Sequence, residues 1–331
     1  MRRALSAALV LVAVIAAPLG LGACGGDAAT DERFEVMLDF VVNPDHAGIY
    51  MAQERGYFSD EGLDVTLRVP ADPAAPIKQV AAGQVDLAIS YEPEVVLARD
   101  QGIDVVAVAA LVNGPLTSLI SLPAAEIDDP ADLAGKTVVD AGIPYQSAYL
   151  KTILDDAGVD PDSVNEVNVG FNLIPPLLSG RADAMLGGFL NVEGVQLEDE
   201  GEDPRVVPVD RLGVPTYDEL VLVADGERVR DDPGQIEAFI AALERGTAAA
   251  VADPTAATDA IVAAGERLDP ELTHKQIDAT LPLLAARPGK PYGYMDPQRW
   301  QAFADYMAAQ DQVDATPSAD ELLTNELLPS C

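Results

Sequence analysis

Apolar and polar positions alternate along this chain on two different periods. Residues 34–38, 64–69, 85–90 and 105–111 are short runs rich in Val, Leu and Ile, and each reads as a β-strand. Between them, residues 47–55, 76–82 and 93–101 read as helices. Gly56 closes the first helix. Pro76 opens the second, where a missing N–H leaves no intrahelical bond unmade. Strands interleaved with helices in this way predict a parallel, doubly wound α/β lobe.

The pattern then repeats. Residues 136–140 predict a strand, and residues 144–157 a helix with Leu150, Ile153, Leu154 and Ala157 on one face. Residues 167–169, 173–179 and 182–187 predict strand, helix and strand. Gly83-Gln84-Val85-Asp86 and Gly180-Arg181-Ala182-Asp183 hold equivalent places in the two series, which suggests two related lobes. A strand at 220–224 leads into helices. Residues 235–251 place Ile236, Phe239, Ile240, Leu243 and Thr247 at helical spacing, and Asp253-Pro254 breaks the run. Trp300, Phe303 and Tyr306 fall near helical spacing in the tail, which is expected to pack back on the first lobe.

Charge narrows the partners. The chain has 331 residues, with 20 basic against 55 acidic, and such a surface repels nucleic acid and anionic lipid headgroups. A basic start, an apolar run over residues 4–17 and small residues before a cysteine describe an export signal. Leu21-Gly22-Ala23-Cys24 resembles a bacterial lipoprotein box, with residues 1–23 as signal peptide, Cys24 as the lipidated residue and 24–32 as a tether. The alternative is a retained membrane span over residues 4–23. The second cysteine, Cys331, stands alone at the C-terminus and reads as a free thiol. With no internal cysteine and two histidines, His46 and His274, no Cys/His metal spacing exists, and neither metal nor cofactor is expected.

The loop after the first strand is the densest in chemistry. It carries Asp39, Phe40, Asn43, Asp45 and His46, at the strand end where α/β sheets meet their ligands. Leu38-Asp39-Phe40, Asn43-Pro44-Asp45-His46, Gly48-Ile49-Tyr50, Gly56-Tyr57-Phe58 and Gly62-Leu63-Asp64-Val65 together resemble the opening of the THI5-like/SsuA-like (NMT1/THI5) family. These are substrate-binding proteins of ABC importers for thiamin-precursor pyrimidines and related small molecules. The resemblance implies a type II periplasmic-binding-protein fold, with two doubly wound α/β lobes joined by a two-strand hinge. Lobe 1 would comprise residues 33–120 and 222–331 and lobe 2 residues 121–221, with crossings near 119–123 and 219–224. A monomer would capture a small flat heteroaromatic in the cleft, close about the hinge, and deliver it to a membrane permease from an extracytoplasmic, lipid-anchored position.

The resemblance also nominates site residues. Asp39 and His46 offer an acceptor and a donor or acceptor to an aminopyrimidine, and Phe40 stands where the family usually has Trp. Asn43 belongs to the same loop. Its alternative role, and that of Asp39, is to satisfy loop amides. Tyr91 and Glu94 follow the third strand, although a carboxylate at a helix start also suits the helix dipole. Asn113 follows the fourth. In the second lobe, Tyr145 lies in the loop Gly142-Ile143-Pro144-Tyr145-Gln146-Ser147, whose free amides are expected to hold an anionic or carbonyl group. Phe171-Asn172 holds a similar position. Glu193 ends Gly187-Gly188-Phe189-Leu190-Asn191-Val192-Glu193, similar to the family's G-G-x-x-N-x-E; the plain alternative is a turn with a solvated Glu. Tyr217 near the hinge is expected either to cover the ligand or simply to lie on the surface.

An enzymatic role is not expected. The family's eukaryotic pyrimidine-forming branch uses a lysine and a histidine where this chain has Ser90 and Glu94, and a cysteine-rich run where it has residues 213–223 without cysteine. No Walker loop, G-x-S-x-G or G-x-G-x-x-G occurs. Riboflavin, an aliphatic sulfonate or another small solute stays open as ligand, and service to a sensor stays open as role.

Overall fold

The computed structural model describes residues 32–284 and 287–330. The expected signal peptide and most of its tether, with Cys24, and the terminal Cys331 lie outside the described residues. The first sheet is built from β1 (Glu32–Met37), β2 (Leu63–Arg68), β3 (Leu87–Ser90) and β4 (Val105–Val112). The second holds β5 (Thr117–Ser121), β6 (Thr137–Asp140), β7 (Asn165–Asn168), β8 (Ala184–Phe189) and β9 (Arg205–Pro208), while β10 (Leu220–Asp225) returns to the first. Strand orders are β2-β1-β3-β10-β4 and β7-β6-β8-β5-β9. In each, three parallel strands run in the order second, first, third, and an antiparallel strand follows, β10 in one sheet and β5 in the other.

The two lobes therefore share one plan, and the tetrapeptides noted above show it in atomic detail. Gly83 and Gly180 turn the chain with φ of 63° and 65°, a region open to glycine at little cost. Asp86 Oδ2 accepts from the Glu35 amide at 2.6 Å, and Asp183 Oδ2 accepts from the Thr137 amide at 2.8 Å. In return, each aspartate amide donates to the carbonyl of the same residue at 2.8 Å. Each tetrapeptide thus pins the start of the third parallel strand to the first, at Glu35 within β1 and at Thr137 where β6 begins.

The chain leaves the first sheet at Val112 and joins the second at Thr117, and β10 lies wholly in the first sheet from Leu220. The expected crossings near 119–123 and 219–224 coincide with β5 and β10 themselves. An apolar strand has the same hydropathy in either sheet, so pattern alone does not say which sheet it joins.

Strand alternation gives way to full burial where helices cover both faces; all residues of β3, β5 and β8 are buried. Phe34 stacks on Phe239 at 5.5 Å, and Phe239 on Phe58 at 4.9 Å, fastening the long helix Gly234–Ala252 to the first sheet. That helix also approaches Ala47–Glu54 closely, since a Cβ on Gly246 would stand 2.2 Å from the Gly48 carbonyl oxygen. The tail helix Pro297–Ala309 buries Trp300 and Phe303, and Leu323 bridges to Ala107 of β4, so the tail packs on the first lobe.

Candidate functional site

A cavity of about 260 Å³ opens between the ends of the two sheets. The first lobe lines it with residues 40–44, Tyr91 and, from its C-terminal helices, Leu268, Asp269, Leu272, Thr273 and Gln276. The second contributes the loops after β6, β7 and β8. Of the sequence-predicted residues, Phe40, Asn43, Tyr91, Tyr145, Asn172 and Glu193 line the cavity. Asp39, His46, Glu94, Asn113 and Tyr217 do not.

Asp39 stands one layer behind the wall. Its Oδ2 accepts from the Tyr91 hydroxyl at 2.9 Å, and its Oδ1 meets His46 Nε2 at 2.8 Å. His46 Nδ1 accepts from the Asn43 amide at 3.2 Å, so the ring proton is assigned to Nε2 and points at Asp39. Asn43 Oδ1 accepts from the Asp45 amide at 2.8 Å. Asp39 and His46 thus hold the Tyr91 hydroxyl and the Asn43 turn in place. Their effect on a ligand passes through residues that do line the cavity.

Glu94 is buried and accepts from Ser90 Oγ at 2.9 Å; burial pushes its carboxyl up to about 7. Asn113 reaches Asp218 Oδ1 and the Tyr294 carbonyl, at 3.3 and 3.2 Å. Tyr217 is fully buried and donates to Glu219 Oε2 at 2.7 Å. It belongs to a ladder of rings through Tyr91, Tyr145, Tyr149, Tyr217 and Phe303. Tyr217 packs within this ladder rather than over the cavity because its ring is hemmed between Tyr149 and Phe303.

Facing the cavity, Phe40 and Phe171 meet edge to face across the cleft at 4.6 Å and 79°. Glu193 Oε2 accepts from the Phe189 amide at 2.7 Å, and burial pushes the carboxyl up to about 7. A carboxyl poised there is able to accept from an amino group and, when protonated, to donate to a ring nitrogen. The loop at the N-terminus of helix Pro144–Asp156 departs from expectation. Its amides are engaged: Gln146 Oε1 accepts from Ala141 at 3.0 Å and Ile143 at 3.4 Å, and Asp140 Oδ1 accepts from Gly142 at 2.6 Å. The residues that could leave these amides free instead fold back and cap them.

Two buried groups, Glu219 and Asp218, escape sequence reasoning, and a third, Asp45 of the first loop, has a partner that the sequence does not show. Glu219 accepts from the Leu116 and Thr117 amides and Thr117 Oγ1, each at 2.9 Å, as well as from Tyr217. It ties one interlobe crossing to the other. Asp218 accepts from Trp300 Nε1 at 2.7 Å and faces Arg299 at 3.4 Å. Asp45 Oδ1 accepts from Asn191 Nδ2 at 2.8 Å, a bond from lobe to lobe, and burial holds the Asp45 carboxyl well above its ordinary range. The only sequence signal for the first two is a pair of adjacent acids before an apolar strand.

Two α/β lobes of one plan, crossed twice by the chain and closing on an apolar cavity with a few polar groups, define a solute-binding protein of the periplasmic type. The chain belongs to the NMT1/THI5-like family, whose pattern matches residues 43–257. It is 35% identical over 323 residues to the formylaminopyrimidine-binding protein of Halalkalibacterium halodurans, covering 95% of this chain and 98% of that one. It is 38% identical over 277 residues to a putative thiamine biosynthesis protein of Haemophilus influenzae, covering 83% and 86%. In fold it is similar to the alkanesulfonate-binding protein SsuA of Xanthomonas axonopodis pv. citri, solved with MOPS bound, with a TM-score of 0.70 at 14% identity over 88% of this chain and 98% of that one.

Proposed function

We propose that this protein is the solute-binding component of an ABC importer and that its ligand is a formylaminopyrimidine or a closely related thiamin-precursor pyrimidine. It is a binding protein, not an enzyme. Glu193 carries the reading: a half-buried carboxyl at the edge of an apolar cavity, with Phe40 and Phe171 on the same wall, suits the amino edge of a flat heteroaromatic. The relative named for a formylaminopyrimidine supports the same choice. The likeness to a sulfonate binder does not extend to the ligand. Among the described residues lining the cavity there is no Lys, Arg or His, whereas Glu193 and Asp269 are both acids, so an anion would meet uncompensated negative charge.

In this reading the ligand docks on Phe40, Tyr91, Tyr145, Asn172 and Glu193 while the lobes close about the crossings, and the permease receives the closed form. Cys24 anchors the chain by lipid at the outer face of the membrane, as a monomer. No helix among the described residues is long and apolar enough to cross a membrane. A panel of formylaminopyrimidine, hydroxymethylpyrimidine, riboflavin and an alkanesulfonate tests the ligand by thermal shift. The true ligand at a hundredfold its dissociation constant raises stability by about 2.7 kcal/mol. A shift with the sulfonate and none with the pyrimidines overturns the reading. For the anchor, Cys24→Ser is expected in the soluble fraction or unprocessed. Processed Cys24→Ser protein that still partitions with detergent overturns it.

A further inference from the structure

We propose that Gln146 recognises the carbonyl oxygen of the ligand and thereby selects a formylated pyrimidine over its deformylated amine; this rests on the reading of the site given above. Gln146 is 1% exposed and lies on the cavity wall. Its two ends are distinguishable. Oε1 faces two donors, the Ala141 and Ile143 amides, so the other end is the NH2 group. That NH2 has no hydrogen-bond partner among the described residues. It rests against the bare backbone of Gly187, which lines the same cavity: a Cβ built there would stand 2.2 Å from Nε2, and Gly187 holds φ +107°. A donor held at the cavity wall without a protein acceptor takes one from solvent or ligand.

The surrounding chemistry says which acceptor. The loop amides of Ala141, Gly142 and Ile143 are already engaged, so the backbone offers no donor to a carbonyl there. Glu193 answers the amino edge. Gln146 and Glu193 come in against consecutive residues of β8, since a Cβ on Gly188 would lie 3.4 Å from Glu193 Cβ. Gly187 is left unpaired where the β5–β8 register shifts, which gives the Gln146 amide its place on the wall apart from the Glu193 carboxyl, held by the Phe189 amide. A fixed N–H donor suits a formyl oxygen. It offers nothing to an alkylammonium, which has donors only. A site built around such a donor rejects a ligand that lacks the acceptor.

Gln146→Glu tests this on the full chain, because it keeps an oxygen for the two loop amides and replaces the NH2 by a second acceptor. The probes are an N-formyl aminomethylpyrimidine and its deformylated aminomethyl counterpart, titrated by calorimetry. The wild type is expected to prefer the formyl compound. Gln146→Glu is expected to lose roughly 10- to 100-fold on it and to hold or gain on the amine, which now meets a carboxylate. Unchanged affinity for the formyl compound overturns the proposal. So does an equal loss on both probes, which would place the NH2 on a ring nitrogen. Should the variant fail to fold, the wild-type Gln146 side-chain 15N resonance decides: it must move with the formyl compound and stay with the amine. A wild type that binds neither probe overturns this proposal and the functional reading together. A wild type that binds while the variant is indifferent overturns this proposal alone.

Discussion

The loops after β1 and β6 are equivalent in the two lobes, and both use the same device differently. Each runs into a helical segment whose third residue turns its side chain back to the capping amide, His46 to Asn43 at 3.2 Å and Gln146 to Ile143 at 3.4 Å. The remaining end of His46 is engaged by Asp39, which in turn holds Tyr91. The remaining end of Gln146 meets no protein acceptor and faces the cavity. One loop is a closed circuit and the other an open one. A polar side chain near a ligand becomes a reader of that ligand only when the fold leaves part of it unsatisfied.

Breaking the closed circuit should have the largest effect on stability. Asp39→Ala strands the His46 Nε2–H and the Tyr91 hydroxyl, both buried. At about 1–3 kcal/mol for each stranded donor, the loss is about 4 kcal/mol by chemical denaturation. Gln146→Glu should cost far less, because its caps survive. Equal destabilisation by the two changes would mean that the loops are not distinct in this way.

The second expectation concerns pH and again sets a closed group against an open one. Burial raises both Glu94 and Glu193 from 4.5 to about 7, but Glu94 is bonded to Ser90 while Glu193 faces the cavity. Where the folded pKa is raised, the folded chain binds protons that the unfolded chain has released. The stability this confers is full below about 4.5 and is lost as pH rises through about 7, on the order of 3 kcal/mol for each residue. Glu94→Gln should flatten denaturation midpoints between these limits with or without ligand. Saturating pyrimidine should alter only the Glu193 part. A ligand that leaves the pH profile of Glu94→Gln untouched argues that Glu193 does not meet it.

These contrasts also show what a sequence exposes. The duplicated plan is legible because Gly83 to Asp86 and Gly180 to Asp183 each need a left-handed glycine and a capping aspartate in a fixed order. The cleft-facing loops are legible for the same reason: strand ends are where sheets expose polar groups. What a loop residue does there is not. Asp39 and Phe40 are neighbours, yet one lies behind the wall and the other on it. Apart from Tyr217, Glu219 takes its donors from residues about a hundred positions away, at Leu116 and Thr117, so the local sequence does not mark it as a buried acid. The contribution of residues 268–276 to the cavity depends likewise on how the C-terminal helices fold back.

A third, smaller effect belongs to Gly187, which stands four residues after Asp183 as Ser90 stands four after Asp86. Ser90 closes its position by bonding Glu94, whereas Gly187 leaves room for the Gln146 amide. Gly187→Ala meets both a positive φ and the Gln146 Nε2 atom, and should cost about 1–3 kcal/mol in stability while displacing the donor. Thermal melts and formyl-probe titrations should both register it. A variant that melts normally and binds normally would mean that the amide lies elsewhere in solution.

The smallest effect tests where the lobes are alike. Phe40 and Phe171 are one ring from each lobe, in contact with each other at 4.6 Å. Neither is fixed by a hydrogen bond, so each acts by surface and by its ring face alone. Phe40→Leu should lower ligand affinity by about 0.5–1.5 kcal/mol beyond any change in buried area and leave the melting temperature nearly unchanged. Phe171→Leu should do the same, because the ligand is enclosed from both sides. Phe40→Trp, which places at this position the residue usual in the family, should tighten binding by widening the platform. Titrating the three variants with the same pyrimidine decides it. If only one phenylalanine matters, the ring lies against one lobe and closure brings the other up to a polar edge, which would leave Gln146 and Glu193 to do the discriminating while a single aromatic face holds the ligand.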